Sequence, residues 1–177
     1  MHRELIIDQI SGILRATEDS YEHKLVQMLD KASRIFVAGA GRSALVARSF
    51  AMRLMHGGYN VFVVGEIVTP SIRAGDLLLA ISGSGETETL ISHTKKARAL
   101  GAGTVLISAR DRSTIGSLAD TLLRIGSPEQ YRETVGMPMG TAFELSTLLF
   151  LEATVSYLIH AKGIPEDEMK TRHSNLE

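Results

Sequence analysis

The sequence predicts an α/β fold of three layers, in which a doubly wound, five-stranded parallel sheet of order 2-1-3-4-5 lies between helices. Two observations carry this. Five short apolar runs, "RIFVAGAG", "NVFVVGE", "DLLLAISGSG", "GTVLISAR" and "DTLLRIGS", recur along the chain, each rich in β-branched residues or leucine and followed by Gly, Ser or an acid, as buried strands are. The segments between them have helical spacing, notably "SALVARSFAMRLMHGG" and "ETETLISHTKKARALGAG"; the second ends in basic residues and then glycine, as helix C-termini do. Strands apolar nearly throughout and alternating with helices belong to a parallel sheet covered on both faces.

The remaining elements follow in order. From residue 2 to about 32, Leu5, Ile6, Ile10, Ile13 and Leu14, then Leu25, Val26, Met28 and Leu29, recur every three or four residues, which predicts two amphipathic helices. After the last strand, "GSPEQYRETVGMPMG" is a long loop of glycines, prolines and charges. A helix from about 141 to 161 follows; it is apolar nearly all round and must be covered on more than one side, as a subunit interface would cover it. "GIPEDEMKTRHSNLE" is a last turn or two of helix plus a tail. With 177 residues, one domain spanning 1–177 is expected. Met52, Met55, Met137 and Met139 suit core and loop packing.

Composition removes whole classes of function. A formal charge of −1 supplies no global field to gather nucleic acid or anionic lipid, so any phosphate chemistry must be local. The N-terminal helices carry neither a basic excess nor the length of a helix-turn-helix unit. The absence of cysteine excludes disulfides, thiolate nucleophiles and Cys-ligated zinc and fits a reducing cytoplasm. The N-terminus has no signal-peptide h-region, and "LSTLLFLEATVSYLI", interrupted by Glu152, falls short of the roughly 20 residues of a membrane span. A soluble cytoplasmic protein with neither nucleic acid nor membrane as partner is expected.

Two strand ends stand apart. "VAGAGRSALVARS" and "AISGSGETETL" both pass from strand through a glycine turn bearing serines into a helix. Glycine lets backbone N–H groups approach a ligand, and the helix start adds unpaired donors and partial positive charge, which together make an anion site. Gly41, Arg42 and Ser43 in the first turn, and Ser82, Gly83, Ser84, Gly85 and Thr87 in the second, are the candidate binding residues. In the order 2-1-3-4-5 these turns flank the point where strand order reverses, beyond the carboxyl ends of the strands. Glu66 and Thr69, after the second strand, are candidates for sugar hydroxyls, and Arg110 and Asp111 for the rim. The bland alternative for "SGSGET" is a capped flexible turn. "GAGRSA" also fits G-x-G-x-x-A with Glu66 as a ribose-binding acid, a dinucleotide pattern that leaves the second turn unexplained.

Taken together, "VAGAGRSALVARSFAMRLMHGGYNVFVVGE", "AISGSGETETLI", "MPMGTAFE" and the terminal "RHSNLE" resemble the 6-phospho-3-hexuloisomerases within the sugar isomerase (SIS) domain family. The resemblance implies a homotetramer that interconverts 3-hexulose 6-phosphate and fructose 6-phosphate, a phosphorylated ketohexose substrate, and neither metal nor other cofactor. Ala44 stands where the family usually has glycine, and Met137 where it usually has glutamine, which would remove a polar contact to the sugar. Another sugar-phosphate isomerase, or a SIS module that only binds a sugar phosphate, remains the alternative.

Moving a carbonyl between adjacent carbons through an enediol needs a base for the carbon-bound proton and a group that assists the oxygens. Glu144, an acid near the start of an apolar helix, is the first candidate for the base; Thr141 and Glu144 also have the T-x-x-E spacing of a capping box, and the resemblance favours catalysis. His173 belongs either to a solvated tail or, through the family ending, to a neighbouring subunit's pocket. His56 either interacts with its helix dipole or joins the site. His93, on a charged helix face, is expected to be exposed, and Glu88 to favour its helix N-terminus, while Glu86 stays open.

Overall fold

The structure, a computed structural model, describes residues 1–131 and 136–176. The chain runs α1 (His2–Arg15), α2 (Tyr21–Lys31), β1 (Ile35–Gly39), α3 (Arg42–His56), β2 (Val61–Val63), β3 (Leu77–Ile81), α4 (Glu88–Ala99), β4 (Gly103–Ser108), α5 (Thr114–Leu118), β5 (Thr121–Arg124), a short 3-10 helix (Pro128–Tyr131), α6 (Thr141–Lys162) and α7 (Glu166–Thr171). The five strands pair in parallel in the order β2-β1-β3-β4-β5, as the sequence predicts.

Strand side chains alternate between two cores. Ile35, Val37, Leu79, Ile107 and Leu123 pack under α1, α2, α3 and α6 with Leu25, Phe50 and Phe150. Phe36, Ala38, Leu78 and Leu106 face the opposite layer, where Leu90 and Ala97 of α4 and Ile115 of α5 cover them. Burial on both faces is why these strands lack an apolar and polar alternation.

The apolar helix α6 packs against α1, α2 and α3. It is 22 residues long, close to the predicted 141–161 but longer than the apolar stretch "LSTLLFLEATVSYLI", and by length and composition it is long and apolar enough to cross a membrane; half of its most apolar window is buried within the fold. Leu149 and Tyr157 remain exposed on its outer side. Of the methionines expected to pack, only Met137 among the four is in the core; Met52, Met55 and Met139 are exposed.

Two polar ties act on the sheet edges. At the N-terminal edge Asp76 is 2% exposed and accepts from Arg34 Nε (3.0 Å) and Nη2 (2.6 Å) and from the backbone N–H of Arg73 (2.8 Å). At the C-terminal edge α1 and the residues just after it anchor the loop after β5: Gly126 N donates to Thr17 Oγ1 (2.9 Å) and Gln130 Nε2 donates to the Gly12 carbonyl (2.8 Å). The predicted loop over 126–140 thus begins with the 3-10 helix, and its residues 132–135 lie outside the described residues, as does Glu177 of the "RHSNLE" ending.

Candidate active site

The carboxyl ends of β1 and β3 lie side by side where the strand order reverses, and both glycine turns open there. Gly41, at φ +55°, is the N-cap of α3, a backbone conformation that side chains resist. In the second turn Gly85 N donates to both the carbonyl and the hydroxyl oxygen of Ser82, each at 3.1 Å, and Ser82 Oγ lies 3.0 Å from Thr87 Oγ1. Gly85 has φ +67°, and a Cβ there would stand 2.1 Å from Ser113 Oγ, so only glycine closes this turn. Thr87 is the N-cap of α4, with no side-chain cap hydrogen bond; the helix start keeps donors available for an anion.

A cavity of about 330 Å³ lies against these turns. Ser43 of α3 and Gly83 and Ser84 of the second turn form one side, and Ala109 and Arg110 after β4 another. Tyr131, Met139 and Gly140 just before α6, and Ala142, Phe143 and Glu144 in its first turn close the rest. Ser84 is exposed there, and its Oγ accepts from Glu86 N at 3.2 Å.

Glu144 does not close a capping box. The N-cap of α6 is Gly140 and no side chain caps it, while Thr141 Oγ1 donates to the Pro138 carbonyl at 2.7 Å. The helix begins one residue earlier than the T-x-x-E pattern requires, with Thr141 as its first residue and not its N-cap, which leaves the carboxylate free to cross the cavity. Its Oε2 accepts from Nε of Arg42 in the first turn. The Glu144 side chain is 12% exposed and that of Arg42 62%, so the carboxylate is the sheltered member of the pair.

Several expected site residues lie elsewhere or act indirectly. Ser82 is buried beneath its turn, where its hydroxyl shapes the loop instead of lining the cavity. Glu66 is on the outer edge, paired with Arg48 at 2.8 Å, and Thr69 donates to the Val63 carbonyl beside a separate apolar cavity lined by Phe36 and the exposed His93. Neither lines the cavity at the glycine turns, because the chain after the three-residue β2 turns away at Gly65, φ +99°. Met137 is buried, so it stands in the core and not against a sugar. His56 and His173 stack on each other, ring centroids 5.1 Å apart, with Arg172 Nη1 donating to the His56 carbonyl at 2.9 Å. They sit at the far end of α3, whose 15 residues span about 22 Å. Within one chain they do not meet Glu144.

Tyr131 and Phe143 are cavity residues the sequence did not single out; an aromatic in a glycine and proline loop was the only signal for the first. The Tyr131 hydroxyl donates to the Ile125 carbonyl at 2.7 Å, and burial pushes its phenol up, so it stays protonated. Its ring meets Phe143 edge-on, making an apolar wall. Glu86, left open by the sequence, reaches α5: Thr114 N donates to Oε1 at 2.8 Å, and hydrogen bonding to Thr114 holds the carboxyl below its usual range. That bond directs its charge to α5.

The SIS domain profile matches residues 28–156, which include β1, both turns and most of α6. The chain belongs to the SIS domain family. The 3-hexulose-6-phosphate isomerase of Methylomonas aminofaciens is 48% identical over 178 residues, covering 99% of this chain and 98% of that protein. The one from Bacillus subtilis is 43% identical, over 97% and 95%. A hypothetical protein of Methanococcus jannaschii, whose crystal structure was taken to infer a 3-hexulose-6-phosphate isomerase function, superposes with a TM-score of 0.87 at 32% identity, over 98% of each chain.

For this SIS domain the turn geometry separates its two serines. Ser84→Ala is expected to raise KM for a phosphorylated substrate by about tenfold or more, the worth of a hydrogen bond to a charged group, with kcat little changed. Steady-state kinetics check it; an unchanged KM removes the Ser84 hydroxyl from the site.

Proposed function

We propose that this SIS domain interconverts 3-hexulose 6-phosphate and fructose 6-phosphate, with Glu144 as the base. The observation that supports this most is a sheltered carboxylate on the same cavity as two glycine and serine turns built for an anion. The turns hold the phosphate, and Ser84 supplies a hydroxyl. Glu144 removes the proton from C2, next to the C3 carbonyl, giving a 2,3-enediol; a proton passes from O2 to O3, and reprotonation at C3 yields the C2 ketone. Electrons balance within the sugar, so the reaction needs no oxidant or reductant. Arg42 orients the carboxylate between steps. His56 and His173 enter only through a neighbouring subunit's cavity, where one of them would move the proton between the two oxygens.

A single cytoplasmic domain assembled as a homotetramer completes the proposal. The exposed apolar side chains Leu45, Met52, Leu149 and Tyr157 on α3 and α6 support self-association. The test is to supply 3-hexulose 6-phosphate in the presence of a chelator. Fructose 6-phosphate is expected to form. No product, with turnover of a different phosphosugar instead, would replace the substrate; no product from any phosphosugar, with retained phosphate binding, would leave a sensing module.

A further inference from the structure

We propose that Arg110 is the residue that makes this cavity selective for a phosphorylated substrate, its guanidinium meeting the phosphate beside the second glycine turn. The inference rests on the isomerase reading for the identity of the substrate, though not for the presence of the anion.

Position comes first. Arg110 lines the same cavity as Ser43, Gly83 and Ser84. Its backbone is tied to the anion turn itself: Ala109 N and Ser108 Oγ both donate to the Gly83 carbonyl at 3.2 Å, and Arg110 N donates to Ser108 Oγ at 3.2 Å. The turn that offers N–H groups therefore also sets where this side chain starts.

Charge decides the rest. Around the cavity each nearby carboxylate is already taken: Glu144 by Arg42, Asp111 by Arg124 at 2.6 Å and Glu86 by the Thr114 N–H. Among the described residues Arg110 has no carboxylate partner, so it is the cavity cation left to an incoming anion. Arg42, drawn into its pair with Glu144, is not. A guanidinium presents a planar fork that matches phosphate oxygens two at a time, and a dianion is repelled from the Glu144 carboxylate. Phosphate against Arg110 and Ser84, with the reacting carbons toward Glu144, satisfies both charges.

The experiment compares the wild type with R110Q and R110K, all confirmed folded by thermal melting. R110Q is expected to raise KM for 3-hexulose 6-phosphate and Ki for inorganic phosphate in parallel, by about tenfold to a hundredfold, with kcat within a few-fold. R110K should recover part of both, since it restores charge without the fork. Unchanged KM and Ki in R110Q, or a fall in kcat with Ki for phosphate unchanged, would overturn the proposal. Should the wild type fail to turn over the hexulose phosphate, the isomerase reading fails by itself. Protection against thermal unfolding by inorganic phosphate then decides Arg110: protection of wild type that R110Q loses supports it, and equal protection or none in both overturns it. If R110Q does not fold, R110K carries the test through a raised phosphate Ki or reduced phosphate protection, and values equal to wild type overturn it.

Discussion

Glu144→Gln is expected to lower kcat by at least about 10²-fold and to leave phosphosugar binding nearly intact. The amide keeps the shape of the side chain, and its oxygen can still accept from Arg42 Nε, so the contact across the cavity survives. What is lost is the ability to take a proton from carbon. The usual objection, that a glutamate three residues into a helix only caps it, has no footing here, because Gly140 is the N-cap and no side chain caps the helix. The glycine also matters sterically: a Cβ at 140 would lie 3.1 Å from Glu144 Oε1 and crowd the carboxylate. Single-turnover kinetics with Glu144→Gln separate the proton step from release of product. Undiminished turnover would reduce Glu144 to a holder of Arg42, and a large rise in KM with constant kcat would make it a binding residue.

What the sequence disclosed and what it withheld divide along a physical line. Burial on both faces writes itself into each strand as an apolar run, and a turn that must approach an anion writes itself as glycine and serine, so the strands and both turns were legible locally, whereas the strand order came from the fold class and from no single segment. Pairings between distant residues leave no local period. Arg42 and Glu144 are separated by 102 residues, Arg34 and Asp76 by 42, and Thr17 and Gly126 by 109. A carboxylate within reach of a glycine turn is a product of topology, which places α6 over the C-terminal edge of the sheet. Glu66 and Thr69 lie off the cavity for the converse reason: a strand of three residues at the sheet edge does not carry its following loop to the strand-order reversal. The T-x-x-E spacing of Thr141 and Glu144 misdirects because it fixes a distance along the helix but not the residue at which the helix begins.

Those long-range ties set the second large effect. Asp76→Asn is expected to destabilise the fold by about 3 kcal/mol, the lower end for breaking a buried ion pair, because Arg34 keeps some contact with water. The Asp76 side chain is fully buried and that of Arg34 is 14% exposed. An asparagine would fill the same volume, but its NH2 would face the Arg34 donors while its one oxygen could not serve Arg34 Nε, Nη2 and Arg73 N together. In a domain of 177 residues that loss lowers Tm by about 6–12 °C. The pair also gives the sign of a pH dependence. Burial alone would raise the Asp76 carboxyl; the hydrogen bonds from Arg34 and Arg73 outweigh it and hold the carboxyl below its usual value. A carboxylate depressed in the native state contributes stability above its unfolded value, about 3.9, and loses it as pH falls through the native one. The gap between wild type and Asp76→Asn in urea midpoints should therefore be constant near neutrality and close progressively below about pH 4. A gap of the same size at acid and neutral pH would mean that Asp76 acts through shape and neutral hydrogen bonds, and that the charge of the pair contributes nothing to holding β1 against β3.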